Sequence, residues 1–353
     1  MTVVKQPHSH TMIHIDGLNL FHRQIHMTNP ALGIDNAIGM ALHLILYSMK
    51  KEYTTWKGSH AVFYLEGHSW RKHIYPPYKA NRKVVKEALT EKEREDFEIL
   101  KGAFDDFSEF IRNKTNISVI QNPNAEADDL IAVFIESHPN DTHVLISSDS
   151  DFYQLLKFSN VIIYDPIKDI RITRDGIHND KGKRLAFMVD TTAKIKVGKE
   201  DPTFVCDPDW YNYALFLKCV RGDKSDNIFS AYPGVREKGT KTSIGIREAY
   251  LDTEKGYAWN NFMLQKFSHH DGTEHKVKDD FDVNSLLIDL SRIPDNIKME
   301  CLQTIATATE DKNIKAVDIG HAFMKFCGRW NLPKIANNVG QFMPILLDKY
   351  TIT

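Results

Sequence analysis

Nine carboxylates fall in five tight groups along this chain, and four of the groups stand where an apolar run ends. The nine are Asp16, Glu66, Glu126, Asp128, Asp129, Asp149, Asp151, Asp223 and Asp226. Two carboxylates about 4 Å apart repel each other by roughly 4 kcal/mol at an effective dielectric constant of 20. If the fold brings the groups together, divalent cations must offset this repulsion or several pKa values must shift. The pattern therefore predicts a metal-dependent phosphodiesterase.

The nine carboxylates are suitable ligands for the metal ions that such a reaction uses. Mg²⁺ prefers oxygen ligands and keeps several waters, so a site of Asp and Glu without His or Cys suits it. Two such ions about 4 Å apart activate a water and stabilise the leaving oxygen in phosphodiester hydrolysis. SDSD at 148–151 also occurs in phosphatases and plain turns, whereas EADD at 126–129 places more acids at a helix start than capping requires. GDKSDN sets Asp223 and Asp226 near enough to share one helical face.

Each acid also has an ordinary alternative role as a helix cap, a turn residue or a solvated charge. The EADD segment leaves one further question open. On a regular helix Glu126 and Asp129 lie about 60° apart, while Asp128 is turned well away from Glu126. Asp128 can join Glu126 only if Glu126 precedes the first helical turn. Because all the groups stand in order at strand and helix ends, we expect a shared site rather than scattered caps.

The elements that precede the acids explain how they could meet. Apolar runs that are typical of strands end at Asp16, at Glu66 and at Asp149. In an open α/β sheet, ligands bind in the crevice at the carboxyl ends of the strands. We therefore expect the acids to line one edge of a mostly parallel sheet.

The remaining pattern alternates strands with helices up to about residue 205 and is mainly helical beyond it. The expected elements are a helix near 35–50, a helix that begins at EADD, a strand in SNVIIYDP, an extended loop or hairpin over 171–202, and a helix over 209–220 that stops at Gly222. These elements predict an α/β domain over 1–205, with a mostly parallel central sheet flanked by helices, and a helical region over 206–353 packed against it.

A basic segment follows the second strand. The stretch WRKHIYPPYKANRKVVK carries six cations and no acid. The cations are Arg71, Lys72, Lys79, Arg82, Lys83 and Lys86. Basic side chains interleaved with Trp70, Tyr75 and Tyr78 offer phosphate contacts and surfaces for base stacking. The alternative is a solvated helix face, which would be preferred if the acids were not nearby.

Composition narrows the class of protein. The chain has 353 residues, of which 42% are hydrophobic and 26% are charged, so one large or two modest domains are expected. Neither a membrane span nor a secretory signal is recognisable, which favours a cytoplasmic location. The net charge of −2 argues against a uniformly basic DNA binder, although an acidic site would mask basic surface in this sum.

Seven motifs resemble, in the same order, those of the 5′-nuclease or flap endonuclease superfamily, and most closely those of its phage-type RNase H branch. They are IDG at Asp16, WRKxxxxxYKxNR from Trp70 to Arg82, EADD at 126, SSDSDFYQL from 147, GDKSDNI at 222, GTKTSI from 239 and LIDLSRIPDNI from 287. The combination of GDKSDN, EADD and SSDSDF is highly specific. The resemblance spans about residues 12–297.

This resemblance implies a PIN-like nuclease core, a helical arch over about 68–118 and a C-terminal helix-three-turn-helix region. It implies a 5′-to-3′ exonuclease and structure-specific 5′-flap endonuclease that removes RNA from RNA–DNA hybrids and 5′ flaps from duplex DNA during replication. A phage-encoded monomer in the host cytoplasm, with a single-strand-binding protein or polymerase clamp as partner, is the corresponding expectation.

The resemblance also implies roles for residues. The first Mg²⁺ is expected on Asp16, Glu66, Glu126 and Asp128, the second on Asp149, Asp151, Asp223 and Asp226, with Asp129 acting through water and Mn²⁺ as a substitute metal. Asp16, Asp151, Lys79 and Arg82 are expected in catalysis, the last two by steering and polarising the scissile phosphate. Nucleic-acid contacts are expected from Arg71, Lys72, Tyr78, Lys83, Lys86, Lys241 and Thr242, with Tyr78 stacked on the terminal base.

This sequence departs from the family's motifs at two places, and both affect the residue roles that the resemblance implies. Glu66 stands where the family usually has Asp, so its longer side chain must reach farther or bind through water. The stretch IFSAYPGVREKGTKT is longer than the family's compact pattern, which puts the K⁺ site implied near Lys241 in question.

Two functions of other classes compete with a nuclease. One is a catalytically inactive module that binds DNA junctions, but such a module gains nothing from acids opposite phosphate. The other is a small-molecule phosphatase that uses Asp149 and Asp151, which leaves the basic segment without a purpose.

Overall fold

The strands of this protein form one large sheet and two small hairpins. The computed structural model describes residues 10–198, 209–232, 244–268, 272–308 and 312–350. The strands are β1 Thr11–Ile15, β2 His60–Leu65, β3 Ser118–Gln121, β4 Thr142–Ile146, β5 Val161–Asp165, β6 Ile170–Thr173, β7 Gly176–Asn179, β8 Arg184–Leu185, β9 Phe187–Val189, β10 Ile195–Val197, β11 Lys266–Ser268 and β12 Glu274–Lys276.

The large sheet has the strand order β3-β2-β1-β4-β5-β6-β7-β8. The first five of these strands pair in parallel, and β6, β7 and β8 continue the sheet as antiparallel strands. β2 is buried along its whole length, as expected for a parallel strand covered on both faces. The strand order reverses at β1, between β2 and β4, which is where ligands bind in open α/β sheets.

Helices cover both faces of the sheet. They are α1 Gly17–Met27, α2 Ile34–Trp56, α3 Arg71–Ile74, α4 Ala80–Glu87, α5 Glu91–Lys114, α6 Ala127–Ser137, α7 Trp210–Arg221, α8 Ile246–Leu251, α9 Tyr257–Met263, α10 Val277–Ile288, α11 Asp295–Ala308, α12 Ala316–Arg329, α13 Pro333–Ala336 and α14 Val339–Leu347. Short 3₁₀ helices span Pro30–Leu32, Ser150–Lys157 and Leu290–Arg292. The mostly parallel α/β core flanked by helices is therefore confirmed. None of the described helices is both long enough and apolar enough to span a membrane.

The core consists of two apolar layers, one on each face of the sheet. α6, α7 and α11 pack in one layer, and α1, α2 and α5 pack in the other. Helices of the C-terminal half contribute to both layers, because α11 packs against α6 while α12 packs against α5. The proposed boundary near residue 205 stays a prediction.

Several local predictions can be compared with the structure. The stripe of α7, from Trp210 to Val220, is buried as expected, and the helix ends before Gly222, whose φ of 69° favours glycine. The segment after Arg171 is ordered as antiparallel strands and a hairpin as far as Val197.

The expected arch over 68–118 is too long, because the second half of α5 belongs to the core. Its side chains Phe104, Phe107, Phe110 and Ile111 are buried in the layer that also contains α12. Amphipathic periodicity in this half of α5 explains the burial, since an apolar stripe on a helix must pack against another element. The solvent-facing excursion therefore consists of α3, α4 and the first half of α5.

Candidate active site

The first acids lie at the carboxyl ends of β1 and β2. Asp16 follows β1 directly, its backbone N–H donates to the carbonyl of Ile146 on β4 (3.2 Å), and its Oδ2 accepts from the Ser147 hydroxyl (2.7 Å). Glu66 follows β2, and its Oε2 accepts from the backbone N–H of Ala127 at the start of α6 (3.1 Å). The parallel register of the strands thus brings together acids that are far apart in sequence.

The SDSD segment follows β4. Asp149 caps the 3₁₀ helix Ser150–Lys157: its Oδ1 accepts from the backbone N–H of Asp151 (3.0 Å) and its Oδ2 from the side-chain amide of Asn19 (3.4 Å). Asn19 belongs to α1, so the helix after β1 helps to orient the acid after β4. This capping role coexists with a place in the acidic cluster, because Asp149 contributes to raising the pKa of Asp16.

The structure answers the question about EADD. Glu126 has extended backbone angles (φ −79°, ψ 162°) and stands before the first turn of α6. Asp128 faces Asp149, Asp16 and Glu66, and burial together with these charges raises its pKa well above the usual value. Asp129 is turned away from this cluster and is completely buried.

Asp129 pairs with Arg71. The guanidinium donates to both carboxylate oxygens (2.8 and 3.0 Å), and the indole Nε1 of Trp70 also donates to Oδ2 (3.1 Å). The same Oδ2 accepts from the backbone N–H of Glu126 (3.1 Å). These four hydrogen bonds hold Asp129 in place and fix the start of α6. Its assistance to a metal through water stays a prediction.

Arg71 and Tyr78 are inside the protein, contrary to the prediction that they contact nucleic acid. Arg71 is 3% exposed and also donates to Glu126 (3.0 Å) and to the carbonyl of Leu287 (2.7 Å). Tyr78 is 4% exposed, and its hydroxyl oxygen lies 2.9 Å from Glu126 Oε2 and 3.0 Å from Asp226 Oδ2, so that its one hydrogen can be donated to either carboxylate. A buried guanidinium needs an acceptor for each of its N–H groups. The fold supplies these acceptors to Arg71 as the carboxylates of Asp129 and Glu126 and the carbonyl of Leu287.

Four acids of the cluster have no cation bonded to them among the described residues: Asp16, Glu66, Asp128 and Asp149. Burial, and then the charges of Asp149 and Glu66, raise the pKa of Asp16 to about 7, while Ser147 opposes the shift. Burial also raises the pKa of Glu66. Like charges held in a poorly solvated site disfavour ionisation unless a cation is present, so this half of the cluster is built to receive positive charge.

Lysines occupy the other half of the cluster. Lys218 on α7 forms ion pairs with Asp151 and with Asp223, the latter at 2.9 Å. Although burial opposes it, Lys218 and the Ser225 hydroxyl lower the pKa of Asp223 to about 2. Lys79 forms an ion pair with Glu126, and it counters the burial that would otherwise raise the pKa of that carboxyl.

Asp226 completes the cluster on the side of α4. Its carboxylate lies 2.7 Å from the guanidinium of Arg82 and 3.8 Å from the ammonium of Lys79. Within the described ranges, no three carboxylate, imidazole or thiol groups stand close enough to hold one ion in this arrangement. Lysine and arginine side chains instead pair with Glu126, Asp151, Asp223 and Asp226.

The exposed part of the basic segment lies next to these acids. Lys72, Arg82, Lys83 and Lys86 are exposed, and α4 has no buried residue. Lys83 has only an i,i+4 ion pair with Glu87 (3.8 Å). These four cations are therefore available to a phosphate backbone, unlike Arg71. Lys241 and Thr242 lie outside the described residues, and so does the K⁺ site implied near them.

Sequence reasoning missed Lys218 and Asn19. Lys218 stands five residues before Asp223 on a helix that leads into GDKSDN, and a cation one turn before an acidic motif is a usable signal. Asn19 stands three residues after Asp16 at the start of α1, where its amide is positioned to reach across to β4.

Comparisons with known proteins identify the family of this chain. A model of the 5′-3′ exonuclease N-terminal resolvase-like domain matches residues 11–182. Flap endonuclease Xni of Pseudoalteromonas translucida is 27% identical over 70% of this chain and 81% of its own length, and Xni of Shewanella woodyi is 30% identical over 52% and 67%. Ribonuclease H of Enterobacteria phage T4 is 26% identical over 74% of this chain and 75% of its own.

A solved structure supports the fold. The zinc-bound 5′-exonuclease of T5 superimposes with a TM-score of 0.53 at 18% identity, and the match covers 93% of this chain and 99% of that one. At this identity the likeness concerns the fold. The sequence matches show that the chain is a nuclease that belongs to the 5′-nuclease superfamily.

Proposed function

We propose that this protein is a metal-dependent 5′-to-3′ exonuclease and 5′-flap endonuclease that hydrolyses RNA primers in RNA–DNA hybrids and 5′ flaps of duplex DNA during replication. The observation that carries the proposal is the pairing of two features. Asp16, Glu66, Asp128 and Asp149 lack a bonded cation although Asp16 is buried and Asp128 and Asp149 are half-buried, and the exposed basic face of α4 lies beside them. The relatives named flap endonuclease and ribonuclease H support both substrates.

The residues present fit two Mg²⁺ ions, for which Mn²⁺ could substitute. Asp16, Glu66, Asp128 and Glu126 would hold one ion, and Asp149, Asp151, Asp223 and Asp226 the other. The donor set consists of hard oxygens alone, and the raised pKa values of Asp16 and Asp128, which burial and neighbouring carboxylates cause, support a cation at this place. When bound, such ions lower the pKa of a water and stabilise the charge of the leaving oxygen.

The chain's own cations would then act on the phosphate. Lys79 and Lys218 neutralise carboxylates in this structure, and each must leave its acids for those acids to bind an ion. The freed ammonium groups remain beside the cluster, where they would neutralise the scissile phosphate. Arg82, which is mostly exposed and holds Asp226 at 2.7 Å, is placed to orient the same group.

The cation-rich surface of α3 and α4 would bind the 5′ single strand. Lys72, Lys83 and Lys86 lie on exposed turns of this excursion, and contacts of this kind neutralise phosphates without reading sequence. Tyr78 supports the site from inside, because its hydroxyl joins Glu126 to Asp226. We propose a cytoplasmic monomer that works with a single-strand-binding protein or a polymerase clamp.

A cleavage assay tests the proposal. Wild-type protein is incubated with end-labelled 5′-flap DNA and with an RNA–DNA hybrid, in Mg²⁺ and in EDTA. We expect both substrates to be cut in Mg²⁺ only, and failure to cut either one in Mg²⁺ would refute the enzyme. Release of inorganic phosphate from free nucleotides, without cleavage of the oligonucleotides, would indicate a small-molecule phosphatase instead.

A further inference from the structure

A second basic surface lies beside Asp151 and Lys218, separate from α4. We call residues 181–196 the basic edge; they include β8 and the hairpin of β9 and β10. This stretch carries five cations and one acid, Asp190. The cations are Lys181, Lys183, Arg184, Lys194 and Lys196, and all of them are exposed. Neither the metal ligands nor α4 accounts for this concentration of charge.

The basic edge is anchored to the core. Phe187, Val189 and Ile195 are buried, and the ring of Phe187 packs edge-on against Trp210 with 5.2 Å between centroids. Side chains alternate between the two faces of a strand, so Lys194 and Lys196 share the outer face while Ile195 points inward. The lysines are thus presented on a fixed element rather than on a loose loop.

Hydrogen bonds close the turn of the hairpin, and the turn borders the acidic cluster. The Oδ1 atom of Asp190 accepts from the backbone N–H groups of Thr192 (2.9 Å) and Lys194 (3.0 Å). Ala193 has a φ of 61° and is buried, and it lines a small cavity together with Asp151 and Lys218. Lys194 therefore follows directly after a residue that borders the acidic cluster.

A second contact ties the turn to α7. Arg221, which stands two residues before Asp223, donates from its Nε to the carbonyl of Thr191 (3.2 Å). The basic edge and α4 meet different parts of the acidic cluster. The excursion that contains α4 reaches Glu126 and Asp226 through Lys79 and Arg82, whereas the basic edge borders Asp151 and Lys218 through Ala193.

Most of this charge is unneutralised. Lys196 pairs with Asp190 (3.2 Å), but among the described residues Lys183, Arg184 and Lys194 have no ion pair. A cation that serves only to balance the acidic cluster would be drawn into it, as Lys218 is. Unpaired cations on a fixed edge beside a phosphodiesterase site are suited to a polyanion that extends beyond that site.

We propose that the basic edge binds the sugar–phosphate backbone of the nucleic-acid substrate beside Asp151 and Lys218, at a surface separate from α4. The proposal rests on the nuclease function argued above and adds a second contact surface to it. The contact neutralises phosphates and is independent of sequence, because it involves lysine and arginine side chains on a surface and no groove-reading element.

The test removes three unpaired cations. The triple variant Lys183→Ala/Arg184→Ala/Lys194→Ala is compared with wild type for binding of fluorescein-labelled 5′-flap DNA by anisotropy, in Ca²⁺ in place of Mg²⁺, at several salt concentrations. The matched control Lys315→Ala/Lys325→Ala/Lys334→Ala removes the same charge from exposed positions of the C-terminal helices. Melting curves by circular dichroism verify the fold of each variant.

We expect the triple variant to bind roughly 10-fold to 100-fold more weakly. The slope of log affinity against log salt concentration should decrease by an amount that corresponds to about two to three phosphate contacts. The control variant should bind like wild type. Equal affinity and equal salt dependence of the triple variant and the control would overturn the proposal. If the triple variant does not fold, Lys194→Gln alone is measured, and an unchanged salt dependence there would overturn the proposal as well.

The outcomes separate this proposal from the nuclease function. If wild type binds flap DNA but cuts nothing in Mg²⁺, the proposed function fails, while a weaker triple variant still supports the basic edge. If wild type cuts flap DNA and the triple variant binds as tightly as the control, only the basic edge is refuted. If wild type binds no nucleic acid, both are refuted.

Discussion

At the scale of single residues, the acidic cluster is held by buried cations that sequence patterns assign to the surface. Arg71 contacts Asp129, Glu126 and the carbonyl of Leu287, and thereby joins the base of the excursion to α6 and to α10. Removing one partner of a buried ion pair leaves an uncompensated charge, which costs more than the pair itself contributes. The residue thus acts through the position of Glu126 rather than through phosphate.

Arg71→Met is expected to lower the free energy of unfolding by about 3–5 kcal/mol, because Asp129 and Glu126 remain buried without their cation. Urea unfolding followed by circular dichroism measures the change. The neighbouring Lys72→Met is a matched control, since Lys72 is exposed and surface changes usually stay within about 0.5 kcal/mol. Similar losses in the two variants would contradict the buried role of Arg71.

Asp151→Asn is expected to abolish cleavage of 5′-flap DNA and to leave binding of that DNA close to wild type. The amide keeps the shape of the side chain but removes the charge that pairs with Lys218 and that a metal needs. Gel assays measure cleavage, and anisotropy measures binding. Asp105→Asn, at an exposed position of α5, serves as the control. Parallel loss of binding and cleavage would count against a metal ligand.

At the scale of elements, β1 and β4, the strands that lead to Asp16 and Asp149, each carry a buried histidine. The Nε2 of His14 is 2.9 Å from the Nδ1 of His143, and the Nε2 of His143 is 2.8 Å from the carbonyl of His138. Burial lowers the pKa of His143 to about 4 and lowers that of His14 as well. These pairs hold adjacent strands in the register that aligns Asp16 with the acids after β4, provided that the imidazoles stay neutral.

The sign of the resulting pH dependence follows from proton binding. Above about pH 6.5 His143 is neutral whether the protein is folded or unfolded, so it adds no pH dependence there. As the pH falls towards 4, the unfolded state takes up the proton first, and the folded state loses about 2 kcal/mol by pH 5 on account of this residue. His143→Gln should lack this loss. Urea unfolding at pH 7.5 and pH 5 measures it, and an equal drop in both proteins would contradict the assignment.

At the scale of the whole molecule, the acidic site makes the metal-free fold less stable. The folded state disfavours the ionisation of Asp16 and Asp128, as their raised pKa values indicate, and the fold tolerates this cost because two apolar layers enclose the sheet on both faces. Such destabilised constellations are typical of functional sites.

Asp128→Asn is therefore expected to stabilise the metal-free protein at pH 8 by about 0.5–2 kcal/mol, because it removes a half-buried acid whose ionisation is disfavoured by burial and by Asp149, Asp16 and Glu66. The same change should shrink the rise in Tm on addition of Mn²⁺, which a ligand that binds only the folded state produces. Melting curves in EDTA and in Mn²⁺ measure both effects. Asp105→Asn is again the control, and a less stable variant in EDTA would contradict the role of Asp128.

Much of this molecule was determined by its sequence alone. Apolar runs that end in Asp16, Glu66 and Asp149 predict parallel strands with acids at one edge, and the structure has those strands. These predictions succeed because the alternation of buried strands and amphipathic helices is a local property of the chain.

Tertiary structure alone decided which charges meet. No spacing in the sequence shows that Arg71 turns inward to Asp129, that Lys218 reaches Asp151, or that Ala193 brings a hairpin to the same cavity. The first two contacts join residues that are 58 and 67 positions apart, on elements whose relative placement depends on packing of the whole core. A charged side chain has long reach and several rotamers, so its partner is set by which neighbours the fold supplies and by the cost of leaving a buried charge unpaired.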